Sequence, residues 1–283
     1  RELTRKYPDV LTKVKQLFFH KIGGFALSQT SPIIIYVYTT LTVVALYGNY
    51  MLIVMGVQTL MTAMFNSMNA GIGNLVAEGD KRKIMSVFAE LFSIRFLFSC
   101  IMCFGVLMIT PAFVSFWIGK KYVMDSLSLL LMTAILFVNL SRTTVDAYIN
   151  AYGLFGDIWA PIVEASLNVI LGYYFGLHGV LSGVLISLLL VVFCWKPYYL
   201  FRKGLDERLS IYIFMYARHL MAALLCGVIV CLGMRYSMVQ GDTTFFDGLL
   251  GILVFSILST LTLLCVAPGM RNLMRRFIRM CHV

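Results

Sequence analysis

The sequence predicts an all-α polytopic membrane protein with about eight transmembrane helices, and three observations carry that prediction. The 283 residues are 60% hydrophobic and only 13% charged, where a soluble domain holds about 25% charged residues. The apolar runs are long enough to cross a bilayer as helices and lack the alternation of barrel strands. The polar segments between them alternate in charge, as loops on two sides of a membrane do. The net charge of +10 therefore reads as loop segregation, and nucleic acid is excluded as a partner.

Residues 1–14 form a basic lead-in with Arg1, Arg5, Lys6 and Lys13. The first span runs from Lys15 to Leu41 and is unusually polar, with Lys21, Ser28, Gln29 and Ser31. Pro32 in its middle removes a backbone bond and should kink it. The second span, Val44 to Val76, carries Gln58, Asn66 and Asn69, and a hydrophilic turn over residues 78–83 follows. The third span, Ile84 to Thr110, contains Glu90 and Arg95, with Pro111 expected to end it. Residues 113–122 read as an interfacial segment, with Trp117 and Tyr122 at the headgroup level.

The fourth span, Leu127 to Asn150, holds Asn139, Arg142, Asp146 and Asn150. Their spacing of 3, 4 and 4 puts them on one helical face. Arg and Asp in hydrocarbon cost a few kcal/mol each, so this face should turn toward protein or water. The fifth span, Ile158 to Phe175, contains Glu164 and Asn168, and residues 176–179 form a tight turn. The sixth span, Val180 to Leu200, includes Lys196 near its end, where the side chain can snorkel. A charged loop over residues 201–208 precedes the seventh span, Ile211 to Met238, with Arg218 and His219. After a polar turn at 239–247, the eighth span covers Leu249 to Ala267. Residues 268–283 are a basic tail with Arg271, Arg275, Arg276 and Arg279, an amphipathic helix on an anionic membrane surface or a disordered tail.

One alternate set of loops holds almost all the loop lysines and arginines, and the other only Lys120, Lys121 and Arg235. The positive-inside rule puts the first set, and both ends of the chain, in the cytoplasm. The start at Arg1 and the basic lead-in suggest the later part of a longer protein.

Lys21, Glu90, Arg95, Arg142, Asp146 and Glu164 make a belt of charge inside the spans. By helical rise Arg142 is about 12 Å from the cytoplasmic end of its span. The belt reads either as a hydrated transport cavity or as structural bracing. In a cavity, Lys21, Gln29, Arg95, Asn139, Arg142 and Asn150 would suit an anionic substrate such as a phosphate. Glu90, Asp146 and Glu164 would carry a coupling proton or sodium ion. The Arg142–Asp146 pair fits a substrate and coupling site or an internal brace. The four histidines are scattered, and no metalloprotease, hydrolase or P-loop motif is present. The chain is therefore expected to be neither an enzyme nor an ATP-driven pump, and no metal or organic cofactor is expected. The six cysteines within apolar runs read as buried small residues.

Three stretches carry a family resemblance. They are ALYGNYMLIVMGVQTLMTAMFNSMNAGIGNLVAEGDKRK (45–83), FVSFWIGKKY (113–122) and INAYGLFGDIWAPIVEASLNVILGYYFGLHGVLSGVLIS (149–187). In that order they resemble the bacterial polysaccharide flippases, the Wzx-type members of the MOP superfamily that also contains the MATE exporters. The resemblance implies that residues 15–200 are the second six-helix lobe of a two-lobe transporter, that 201–267 are two additional helices, and that the N-terminal lobe of the same chain is missing. It implies a multi-pass protein of the bacterial cytoplasmic membrane that moves an undecaprenyl-diphosphate-linked oligosaccharide between leaflets by ion-coupled alternating access. Two alternatives are a MATE-type cation-coupled multidrug exporter and a polytopic glycosyltransferase or ligase. The short external turns count against the glycosyltransferase or ligase.

Overall fold

The computed structural model describes residue 18 and residues 32–154, 160–238 and 245–281, with side chains except at 160–165, 192, 235–238, 245, 280 and 281. Among these residues the chain is helical, with no strand. The helices are α1 (Leu41–Glu78), α2 (Lys81–Trp117), α3 (Ser126–Ser141), α4 (Thr143–Tyr152), α5 (Ala160–Leu188), α6 (Lys196–Leu200), α7 (Leu209–Met238), α8 (Phe245–Val266) and α9 (Pro268–Cys281). Six segments are long and apolar enough to cross a membrane, so the chain is a helical, multi-pass membrane protein.

The count differs from the expected eight in two places. Most of the expected first span lies outside the described residues, apart from a helical stretch over 32–38. The fifth and sixth expected spans fall in one continuous helical segment, Ser166–Leu205. Within it Gly176 adopts φ 56°, ψ −130°, a backbone region open to glycine alone. There the chain folds back. A methyl at Gly179 would collide with the Leu171 carbonyl, and one at Gly183 would lie 3.0 Å from Asn168 Cα. These close approaches let the backbones of the two arms touch, as small residues do between membrane helices.

α2 is the axis. It packs against α1, α3, α4, α7, α8 and α9. Phe88, Phe92 and Phe96 recur every four residues and form an aromatic seam with Tyr148, Phe201, Tyr212 and Tyr216. Phe104 stacks on Phe255 of α8 at 4.3 Å between centroids. Asp80 caps α2 by accepting from the Arg82 and Lys83 amides at 3.0 and 3.2 Å. Gly79 ends α1 in the left-handed conformation, φ 77°, as an αL cap requires. Pro111 was expected to end this span and does not; the helix runs through it to Trp117. A proline removes one bond and bends a helix, and packing on both sides of it can carry the chain onward.

The fourth expected span is present but broken at Arg142 into α3 and α4. Ser141 Oγ bonds back to the Val138 carbonyl at 3.3 Å and Thr143 Oγ1 to Leu140 at 2.8 Å. Such back-bonding competes with the backbone ladder and bends helices. The expected charged loop at 201–208 is helical as far as Leu205, in wide π turns, with Asp206 in the left-handed region. The tail after Pro268 is a helix docked on α2. The cysteines with described side chains are free; Cys100, Cys103 and Cys226 are buried and Cys194, Cys231 and Cys265 exposed.

Candidate functional site

A cavity of about 530 Å³ lies between α1, α2, the α3–α4 pair and the second arm of the α5 hairpin. Asn139, Arg142, Asp146 and Asn150 all line it. The helical spacing survives the break because Arg142 keeps αR angles, and its amide and carbonyl still bond Val138 and Asp146. Ser141 Oγ lies 3.2 Å from Tyr216 Oη, which holds the break against α7. α1 contributes the opposite polar stripe, Gln58, Thr62, Asn66 and Asn69. Its spacing of 4, 4 and 3 was legible in the sequence as a second one-faced stripe. Val180, Leu181 and Val184 close the remaining side.

Arg95 reaches this cavity from α2 with only 2% of its surface exposed. Its Nη1 donates to the Thr143 carbonyl at 3.0 Å. Its Nη2 donates to Asn69 Oδ1 at 3.1 Å and to the Phe65 carbonyl at 3.5 Å. The guanidinium also sits over the Phe65 ring at 5.3 Å. Nε has no acceptor, and among the described residues no carboxylate pairs with the charge. A buried cation held by neutral oxygens alone keeps most of its desolvation cost, several kcal/mol. An anion entering the cavity would offset that cost.

Asp146 sits between two cations. Arg142 Nε is 3.3 Å from Oδ2, and Lys196 Nζ donates to Oδ1 at 2.8 Å. Lys196 is not a solvated end group: its side chain is 11% exposed. It follows directly on the π-helical stretch Leu189–Trp195. A π turn adds a residue per turn and so changes which face the following residues present. Among the described residues, Arg142 and Lys196 both meet Asp146, and Arg95 lines the same cavity as Arg142 and Asp146.

The sequence-derived belt is thus assembled in part. Arg95, Asn139, Arg142, Asp146 and Asn150 share one cavity. Glu90 does not, because five residues turn a helix well past its starting face. Glu90 is 3% exposed and accepts from Arg276 Nη2 at 3.2 Å and Ser86 Oγ at 3.1 Å, toward α9. Lys21, Gln29 and the Glu164 side chain lie outside the described residues. Asn69, named on its span but not assigned to the site, Lys196, read as a snorkelling end group, and Thr143 belong to the site. Among the described residues no cluster of His, Cys, Asp and Glu could hold a metal ion.

Away from the cavity, Asp125 caps α3, accepting from the Ser128 amide at 2.9 Å, and meets His178 Nε2 of the hairpin turn at 2.9 Å. Partial burial opposes its ionisation, but the His178 and Ser128 donors outweigh burial and hold the carboxyl at about 2. This contact ties the Gly176 turn to the start of the helix that bears the polar stripe.

Comparisons with protein-family models, with curated proteins and with solved structures give no match to this chain.

Proposed function

We propose that the chain is part of a flippase that moves a lipid-linked anionic oligosaccharide, carried on a polyprenyl diphosphate, between the leaflets of a bacterial cytoplasmic membrane. The observation that carries this reading is Arg95: a deeply buried guanidinium, facing a cavity, with only neutral oxygens as partners among the described residues. A phosphate is a fitting guest for such a group, because it accepts two charge-assisted bonds in the geometry a guanidinium offers. The amides of Asn66, Asn69, Asn139 and Asn150 supply neutral donors and acceptors for sugar hydroxyls.

The Arg142–Asp146–Lys196 cluster suits coupling. A diphosphate arriving beside Arg142 competes with Asp146 for that cation. The displaced carboxylate then offers a place for a proton or sodium ion. Alternating access driven by an ion gradient follows, with the lead-in and the α9 end on the cytoplasmic side by the loop charges. The MATE-type exporter reading fits less well, because a cavity lined by Arg95 and Arg142 with Asp146 as the one carboxylate among its described residues disfavours cationic drugs. The resemblance to the second lobe of a two-lobe transporter supports the same picture, with the face of α1 as the side on which the remaining wall stands.

The test is complementation of a surface-polysaccharide flippase deletion by the full-length protein. Restored polymer, lost in Arg95→Ala and Arg142→Ala variants that still insert, supports the reading. Full complementation by both variants removes the cavity from it.

A further inference from the structure

The docked tail helix carries a second ligand surface, independent of what the cavity transports. α9 starts at Pro268, with only Ala267 between it and the end of the apolar run of α8 at Val266. It therefore sits where the chain leaves the hydrocarbon. Its first turns are fixed to α2. Ala267 and Met270 are buried, and Gly269 packs so closely that a methyl there would collide with the Ala89 carbonyl. Arg276 adds the bond to the buried Glu90.

The rest of α9 has two uncovered stripes. Met274, Phe277 and Ile278 are 37%, 61% and 48% exposed. Their spacing continues the face of Met270, so the same apolar stripe is covered by protein at its start and by nothing described at its end. Arg271, Arg275 and Arg279, at i, i+4 and i+8, form an exposed basic stripe beside it. No Asp or Glu occurs from 268 to 283. Arg276 alone of the four arginines has a carboxylate partner among the described residues.

We propose that α9 forms a docking surface for an anionic phospholipid bilayer face, with headgroup phosphate along Arg271, Arg275 and Arg279 and with Met274, Phe277 and Ile278 entering the acyl boundary. The charge pattern selects this occupant: phosphate along one stripe and hydrocarbon beside it are what a bilayer surface offers together. Because α9 is pinned to α2, its orientation in that surface is set before lipid arrives.

The test uses the full chain in nanodiscs of phosphatidylcholine with and without phosphatidylglycerol, reading retained lipid by native mass spectrometry. The expected result is preferential retention of phosphatidylglycerol, falling about fivefold for each of Arg271→Gln, Arg275→Gln and Arg279→Gln. These side chains are exposed, so thermal stability in phosphatidylcholine alone should stay unchanged. In the Phe277→Trp variant, added indole fluorescence should be quenched by brominated acyl chains. Equal retention of the two lipids, or a preference untouched by the triple substitution, overturns the proposal. So does an unquenched Phe277→Trp. Displacement of phosphatidylglycerol by inorganic phosphate beyond the effect of chloride at equal ionic strength marks a small-anion site and also overturns it.

Discussion

Replacing Arg95 by methionine separates an anion site from a brace. Met matches the aliphatic stem of Arg and packs along Phe65 without a charge, leaving the place of the guanidinium open to the cavity. The lost bonds go to two helix carbonyls, Thr143 and Phe65, and to the Asn69 amide. The carbonyls keep their helical partners, so little is left unsatisfied. Exchanging a buried, uncompensated charge for a well-packed apolar chain is neutral or stabilising, by about 1–4 kcal/mol. The anion loses a charge-assisted bond worth about 1.5–3 kcal/mol, which is roughly a 10- to 150-fold loss of affinity. The assay is equilibrium binding of a short-chain polyprenyl diphosphate to the full chain in nanodiscs, with thermal unfolding followed on the same samples. Expected is a raised or unchanged unfolding temperature with affinity lowered by that factor. A sharply lowered unfolding temperature with unchanged affinity would refute the reasoning and make Arg95 structural.

Three further outcomes follow from the geometry. Asp146→Asn leaves Arg142 and Lys196 without their carboxylate; with Asp146 about a quarter exposed, solvent screening limits the loss to about 1–2 kcal/mol, and adding Lys196→Met should recover part of it in thermal unfolding. Gly176→Ala forces a side chain into a backbone region that resists it, costing about 1–3 kcal/mol; a lowered unfolding temperature reads the loss. Asp125→Ala removes a helix cap worth about 1 kcal/mol. Because the folded carboxyl sits below its ordinary value of 3.8, its stabilisation is present above that value and fades as pH falls toward about 2. Unfolding of parent and variant should therefore differ at neutral pH and converge in acid.

The parts of the site visible in the sequence were the local ones. Asn139, Arg142, Asp146 and Asn150 are spaced 3, 4 and 4, and an α-helix turns such spacing into a face even across a bend. The turn at Gly176 was legible from its glycines. Lys196 was not, because its meeting with Asp146 spans 50 residues and depends on a π turn that no periodicity signals. Glu90 was grouped with Arg95 on depth alone, although their separation of five residues points them apart. Pro111 was read as a stop by its missing amide, while the packing of α2 carries the helix past it. The tail's arginines suggested a surface helix or disorder, and its fixed position came from Gly269 against Ala89, a contact only the fold supplies.

The proposed function requires the cationic cavity to carry a lipid diphosphate across the membrane. Its most direct measurement is translocation of a lipid-linked oligosaccharide between leaflets of proteoliposomes containing the full-length protein, with Arg95→Met alongside. Translocation by the parent should fall at least about tenfold in the variant, following the lost charge-assisted bond. No translocation by the parent, or equal rates in parent and variant, would contradict it.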